Sequence, residues 1–375
     1  MKVSKTDFLI YRDCAHNAWL KIHAPNVYRT KPLSVFDDAL IKIGNEVDVL
    51  ARDLFPAGAI IERGDAAGTA RLVRAGASVL YQPVFDTDRF TTACDILVRN
   101  TGAGVYDLYE VKSSSDGGEK RKKEELYAYD LAFQAEVLRS NGVPLGRLML
   151  VRLDSDYVRG EALDIRALFT ADDFSDRVAE IQEEIAAEMV VAHGVLSSAE
   201  PLPAPCGCMV KGRSAHCTTF WHINADVPEY SVHDIARIGM SRKKLSELID
   251  RNIFAVTDVP DGFPLSDAQA NQVQAARTGR AIIDWRAIGD FLNLMSYPVA
   301  FLDYETYPCA VPRLAGYRPY EQIPFQFSLD IVERPGGEIV HHEYLHVTAD
   351  SPDAALLAAL EAALPRDRVF LTDSG

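Results

Sequence analysis

The stretch that decides the fold runs from Asp95 to Lys112. It reads Asp95-Ile96-Leu97-Val98-Arg99-Asn100, then Thr101-Gly102-Ala103-Gly104, then Val105-Tyr106-Asp107-Leu108-Tyr109-Glu110-Val111-Lys112. Two apolar runs flank a Gly- and Asn-containing turn, the pattern of a β-hairpin. Residues i and i+2 of a strand share a face. Glu110 and Lys112 therefore point the same way, and Asp95, at the head of the neighbouring strand, can reach that face. An isolated E-x-K is usually an exposed strand pair. Here the charges are embedded in apolar strands, which favours a chemical role.

Around the hairpin the order is α-β-β-β-α-β. Helical patterns cover Lys5 to Ile22 and Asp37 to Leu54, the second ending in Phe55-Pro56-Ala57-Gly58. Short β-like runs follow at Ala77 to Val84, Phe90 to Val98 and Val105 to Lys112. A helix over Glu124 to Ser140 is closed by Asn141-Gly142, a strand covers Arg147 to Leu153, and an acidic helix spans Thr170 to His193. This is a small mixed α/β sheet with helices on it. Leu196 to Pro205 reads as a connector, and Val232 to Gly239, Ser241 to Arg251 and Ser266 to Thr278 as short helices. A second β-rich pattern begins at Tyr297, with strands Val299 to Tyr304, Phe325 to Val332 and Glu338 to Val347. The helix Pro352 to Ala363 and the strand Arg368 to Thr372 complete it.

The 375 residues suffice for two or three domains, and 48% hydrophobic with 25% charged residues is globular usage. A net charge of −15 excludes a protein that is basic over its whole surface, but not a local basic patch. No apolar run reaches membrane-spanning length, and the N-terminus carries no export signal, so a cytoplasmic protein with no membrane partner is expected. Six cysteines are too few for a disulfide scaffold and read as reduced thiols, metal ligands or core residues. Cys94 and Cys309 are most simply core residues.

Two carboxylates and a lysine on one face suit phosphodiester hydrolysis. Asp95 and Glu110 offer hard oxygen ligands to Mg²⁺ or Mn²⁺. The metal would acidify a water and neutralise transition-state charge, while Lys112 orients the water or stabilises negative charge. The pattern resembles the PD-(D/E)XK nuclease superfamily, in its RecB-like branch that includes the CRISPR-associated exonucleases. The matching segments are Cys14-Ala15-His16-Asn17-Ala18-Trp19-Leu20-Lys21, Gly44-Asn45-Glu46-Val47, Asp95-Ile96-Leu97, Tyr109-Glu110-Val111-Lys112-Ser113 and Asp130-Leu131-Ala132-Phe133-Gln134. The resemblance implies a restriction-endonuclease-like mixed sheet core (αβββαβ) over residues 1–220. It implies metal binding by Asp95 and Glu110, catalysis by Lys112, and Gln134 facing the site. Glu46 is the expected further ligand on the preceding helix, with Asp48 as its competitor. DNA is the implied substrate, single-stranded or end-containing, in repair, recombination or defence, with a helicase or defence-system partner left open. The competing reading is a catalytically silent nucleic-acid-binding or scaffold protein. Lys120, Arg121, Lys122 and Lys123 form the candidate phosphate-contacting patch or, alternatively, a solvated helix start.

Cys206, Cys208 and Cys217 cluster in sequence, with Cys14 far upstream. By the same resemblance the four hold a [4Fe–4S] cluster, a clasp that closes the domain between its ends. The two-residue step from Cys206 to Cys208 is shorter than the usual pattern, so tetrahedral Zn²⁺ is the alternative, with His216 able to replace one thiolate.

Phe301-Leu302-Asp303-Tyr304-Glu305-Thr306 places two acids on one strand face. This D-x-E resembles the opening motif of DnaQ-like exonucleases, which implies Asp303 and Glu305 as metal ligands in a partial RNase H-like α/β domain. The wider segment, from about 285 to 372, resembles a bacterial domain of uncharacterised function that follows RecB-like nucleases. The further aspartates such a site needs are expected beyond Gly375. The expected organisation is thus 1–220 nuclease, 221–290 helical connector and 291–375 partial RNase H-like domain.

Overall fold

A computed structural model describes residues 1–28, 34–115, 120–364 and 370–373. The chain opens with β1 (Val3–Ser4), α1 (Lys5–Asp13), α2 (Ala15–His23), α3 (Pro25–Tyr28) and α4 (Val35–Ala51). The single helix expected over Lys5 to Ile22 is broken at Cys14, whose extended backbone (φ −159°, ψ 107°) ends α1 and starts α2. A capping box starts α1: the Ser4 hydroxyl accepts from the Asp7 N–H, and the Asp7 carboxylate accepts from the Ser4 N–H.

There follow β2 (Ala59–Ile60), α5 (Ala66–Arg74), β3 (Val79–Tyr81), β4 (Val84–Asp86), β5 (Phe90–Ala93), β6 (Ile96–Asn100) and β7 (Val105–Ser115). Then come α6 (Lys120–Ser140), β8 (Leu145–Leu153), α7 (Ile165–Leu168), β9 (Phe169–Asp173) and α8 (Ser175–Ser197). The main sheet has six strands in the order β2-β3-β6-β7-β8-β9. β3, β6 and β7 form an antiparallel meander, and α6 crosses to β8, which runs parallel to β7. With α4 in front, this is the expected αβββαβ core.

Three expected elements are redrawn. The runs Ala77 to Val84 and Phe90 to Val98 each split between two sheets, because β4 and β5 join β1 in a separate three-stranded sheet. The switch lies at Gln82-Pro83, where Gln82 adopts a left-handed φ of 54°, and opposite it at Cys94-Asp95. Backbone hydrogen bonds from Gln82 N–H to Asp95 O (2.9 Å) and from Cys94 N–H to Pro83 O (3.0 Å) carry the pairing across the break. Residues Thr170 to Asp173, expected as helix, instead lie in β9, antiparallel to β8.

The sheet is covered on both faces. On one, Leu80, Leu97, Leu108, Leu148 and Leu150 pack with Phe8 of α1, with Leu131, Phe133 and Leu138 of α6, and with Ile185 and Met189 of α8. On the other, Tyr81, Ile96, Tyr109 and Val151 pack with Val47 and Ala51 of α4, and with Ala310 and Val311 from far down the chain. Along β7, Leu108 therefore faces α6 and Tyr109 faces α4. Glu110 and Lys112 share Leu108's face by strand alternation.

The remainder contains α9 (Phe220–Ile223), α10 (Arg242–Asp250), α11 (Asp267–Thr278), α12 (Trp285–Leu292), β10 (Val299–Pro308), β11 (Gln322–Val332), β12 (Ile339–Leu345), α13 (Asp353–Ala363) and β13 (Phe370–Asp373). The expected helix Val232 to Gly239 is two 3₁₀ turns, Val232–Asp234 and Ile238–Met240. These four late strands form a sheet in the order β12-β11-β10-β13, with β13 parallel to β10 and α13 packed on it. Residues 309–320 dock on the first sheet: the Tyr320 hydroxyl donates to Ser113 O (2.6 Å), just past Lys112 on β7. Among the described residues no helix is long and apolar enough to cross a membrane.

Candidate active site and thiol cluster

The hairpin brings the expected residues together. Asp95 stands where the chain passes from β5 to β6, and its Oδ2 accepts from the Val111 N–H of β7 at 2.8 Å. Glu110 is buried: its Oε1 accepts from Lys112 Nζ (2.6 Å), and its Oε2 from Gln134 Nε2 (2.7 Å). Gln134 is fully buried on α6, and its Oε1 has no hydrogen-bond partner among the described residues.

Two residues absent from the expected set complete the group. Asp130, one turn before Gln134, accepts from Lys112 Nζ at 2.7 Å and from Gln134 Nε2 at 2.9 Å. Lys5, the first residue of α1, places its Nζ 2.9 Å from Glu110 Oε1 and 3.0 Å from Asp130 Oδ1. Asp130 had a sequence signal, the i, i+4 step to Gln134 on a helix face. Lys5 had none, since it meets Glu110 only through the tertiary fold.

Burial and charge act against each other here. Burial drives the Asp95 carboxyl up, the neighbouring Glu110 adds to that, and Lys5 opposes it; the result is about 7. Burial would also raise Glu110, but the Lys112 and Lys5 ammonium groups outweigh it and hold Glu110 below the usual carboxylate range. Lys112, despite burial, is pushed above the usual lysine range by Glu110 and Asp130.

On α4 the two acids part company. Glu46 pairs with Arg313 at 2.7 Å. Asp48 accepts from Gln82 Nε2 at 3.1 Å, and the same amide lies 3.4 Å from Asp95 Oδ1. Asp48 also pairs with Arg52. A cleft of about 730 Å³ opens beside this point, lined by Ser4, Lys5, Thr6, Asn45, Arg63 and Gln82 among others. Lys120 to Lys123 open α6, but their side chains lie outside the described residues.

The four expected cysteines converge. The sulfurs of Cys14, Cys206, Cys208 and Cys217 all lie within 4.8 Å of one another and all four residues are buried, so the cluster can hold a metal. Among the described residues it is the one such group of three or more metal-ligating side chains. Asn224 Nδ2 donates to Cys206 Sγ at 3.3 Å. His216 stands outside the set: its Nε2 meets Lys211 O at 3.0 Å and its ring stacks on Phe220. Hydrogen bonds from Cys14 and Cys208 hold the Cys206 thiol far below its usual range, whereas Cys14 itself is raised by Cys206 and Cys208. The loop behind the cluster rests on the connector through Gly212 and Gly239. A Cβ on Gly239 would sit 2.8 Å from the Gly212 Cα, so that approach requires glycine.

Asp303 and Glu305 are exposed on β10, opposite Ser328 and Gln326. Among the described residues no third ligating side chain gathers on them. The side chain of Asp373 lies outside the described residues.

The family model described as a domain of unknown function (DUF2779) matches residues 300–372, within the stretch expected to resemble an uncharacterised bacterial domain. No curated protein matches the chain. Among solved structures the chain is similar to a phage-related exonuclease from Haemophilus somnus 129PT, with 11% identity and a TM-score of 0.23, over 48% of this chain and 92% of that one.

Proposed function

We propose that the chain is a metal-dependent nuclease that hydrolyses phosphodiester bonds of DNA at Asp95, Glu110 and Lys112. The observation that carries this reading is the buried group itself: Lys112 bridges Glu110 and Asp130 at 2.6 and 2.7 Å, beside Asp95, and Lys5, which also contacts Glu110 and Asp130, lines the neighbouring cleft. A solvated strand pair would need neither the burial nor the Gln134 and Asp130 supports.

The donors fit Mg²⁺ or Mn²⁺. They are hard carboxylate oxygens, and Asp95 is held near 7 by burial and by Glu110, a strain that a divalent cation relieves. Asp95 and Glu110 would hold the ion, with Asp48 rather than Glu46 as the contribution of α4, because Gln82 ties Asp48 to Asp95. When bound, the cation supplies Lewis-acid polarisation of the phosphoryl group. Lys112 places positive charge where negative charge grows on phosphorus-bound oxygen. Gln134 and Asp130 fix the rotamers of Glu110 and Lys112. A water oxygen bonds to phosphorus as the ester bond to the leaving sugar oxygen breaks. Lys120 to Lys123 would extend the contact to flanking phosphates.

For the thiol cluster the sulfur spacing favours one tetrahedral ion. Four sulfurs about 2.3 Å from a zinc ion stand about 3.8 Å apart, which falls within the observed 4.8 Å limit. A cuboidal iron–sulfur cluster would hold them further apart. The C-terminal sheet, with Asp303 and Glu305 exposed and no third ligand beside them among the described residues, is an accessory module in this reading.

The test is cleavage of end-labelled DNA in Mg²⁺ or Mn²⁺ by wild type and by Glu110→Gln. Wild-type cleavage that Glu110→Gln abolishes at a temperature where the variant is still folded supports the assignment. Equal cleavage by both overturns it.

A further inference from the structure

We propose that Lys5 is a second catalytic lysine of this site, one that binds the phosphate of the substrate strand from the cleft side. The proposal deepens the nuclease reading and rests on it.

Lys5 belongs to two features at once. Its ammonium contacts Glu110 Oε1 at 2.9 Å and Asp130 Oδ1 at 3.0 Å, and its side chain also lines the 730 Å³ cleft. Its side chain is 19% exposed against 2% for Glu110, so Lys5 is the layer between the buried carboxylate and the open cleft. Its placement also runs against helix electrostatics. A cation at the first position of a helix faces the positive end of the helix dipole. The Ser4–Asp7 capping box nevertheless fixes α1 in that position, and Asp7 is itself held by Lys21 at 2.5 Å. Helix stability alone would not select lysine there.

Charge counting gives the reason. Asp48 is balanced by Arg52; with the other three acids ionised, Asp95, Glu110 and Asp130 oppose Lys5 and Lys112, which leaves one negative charge. One divalent cation turns that into one positive charge, which a phosphodiester anion cancels. Without Lys5 the metal-loaded site would be neutral before the phosphate arrives, and its attraction for the anion would be lost. Lys5 therefore sets the site's affinity for phosphate, which Lys112 alone cannot do. Arg63 also lines the cleft and makes no ion pair among the described residues, so it is placed to take a neighbouring phosphate.

The experiment uses the full chain as wild type, Lys5→Met, Lys5→Arg and Lys112→Ala. Three quantities are read: cleavage of a labelled single-stranded oligonucleotide in Mg²⁺, binding of a phosphorothioate oligonucleotide in Ca²⁺ by fluorescence anisotropy, and acetylation of Lys5 in wild type by mass spectrometry. Lys5→Met should lose about 100-fold in kcat/KM, as for removal of one oriented transition-state charge. It should also bind the oligonucleotide at least fivefold more weakly, and Lys5→Arg should recover most of the binding. In wild type the oligonucleotide should protect Lys5 from acetylation, a readout that does not depend on any variant folding. Unchanged binding by Lys5→Met, or acetylation of Lys5 unaffected by the oligonucleotide, overturns the proposal. A wild type and Lys112→Ala that cleave equally overturn the nuclease assignment instead, whatever Lys5 does.

Discussion

Lys5 and Cys14 stand at opposite ends of one nine-residue helix, Lys5 as its first residue and Cys14 as its C-terminal cap. The Lys5 ammonium lies 2.9 Å from Glu110, and the Cys14 thiol belongs to the four-sulfur cluster. At 1.5 Å per residue the ends stand about 14 Å apart. Between them Phe8 packs on Phe133 of α6, with ring centroids 5.2 Å apart. The thiol cluster and the acid site therefore share a short rod, from which we expect that loosening one end disturbs the other.

Cys14→Ser should show this coupling. A cross-link closing a loop from Cys14 to Cys206, about 190 residues, is worth about 5 kcal/mol on chain-entropy grounds. The variant should retain less metal per chain than wild type, melt well below wild type, and cleave at least tenfold more slowly under conditions where it is still folded. Stripping the metal from wild type with a chelator should lower the melting temperature in the same way. Metal analysis, calorimetry and cleavage rates check all three.

Asp48 and Glu46 differ in what they touch. Asp48→Ala should weaken Mn²⁺ binding about tenfold, because the Gln82 link to Asp95 goes with it. Glu46→Ala removes a partly exposed pair with Arg313 and should change stability by less than about 1 kcal/mol, with metal affinity unchanged. Isothermal titration with Mn²⁺ separates the two.

Asp130→Asn leaves Lys5 and Lys112 with Glu110 as their one shared carboxylate. Breaking a buried ion pair costs about 3 kcal/mol, and Lys112 loses its second anchor. We expect kcat to fall 10- to 100-fold with KM little changed, measured by steady-state cleavage on the folded variant.

The pH response follows from Asp95. Its carboxyl is raised to about 7 by burial and Glu110, so below that pH a metal must displace a proton. Metal affinity should fall about tenfold per pH unit beneath 7 and level off above it. For folding the sign is reversed from the usual acid. The folded state binds this proton more tightly than the unfolded state, so this group's contribution is lost as pH rises from about 4 to 7, and bound metal restores it. Mn²⁺ titrations and thermal melts from pH 5.5 to 8.5 read both. An affinity independent of pH across that range would contradict the assignment of Asp95.

Asp95, Glu110 and Lys112 were legible in the sequence because strand alternation and a hairpin turn bring them together by local rules, whereas Gln134, on α6, was expected only from the family resemblance. Cys206, Cys208 and Cys217 were legible from their density, and Cys14, far upstream, from the resemblance alone. Lys5 was not, since its distance to Glu110 is set by how α1 packs on α6, which leaves no periodic trace. The split of Phe90 to Val98 was hidden for a similar reason: Gln82 turns left-handed opposite Cys94, so one apolar run serves two sheets. Thr170 to Asp173 carry a helix-like acidic pattern, yet pairing with β8 prevails over local propensity. Asp303 and Glu305 share a strand face as expected, but among the described residues no third ligating side chain gathers on them.

The most direct measurement of the central claim is cleavage of end-labelled single- and double-stranded DNA in Mg²⁺ or Mn²⁺, with wild type, Lys112→Ala and Asp303→Ala side by side. The account predicts that Lys112→Ala loses at least 100-fold in rate, while Asp303→Ala cleaves like wild type. Cleavage that survives Lys112→Ala but disappears with Asp303→Ala would contradict it and move the chemistry to the C-terminal sheet.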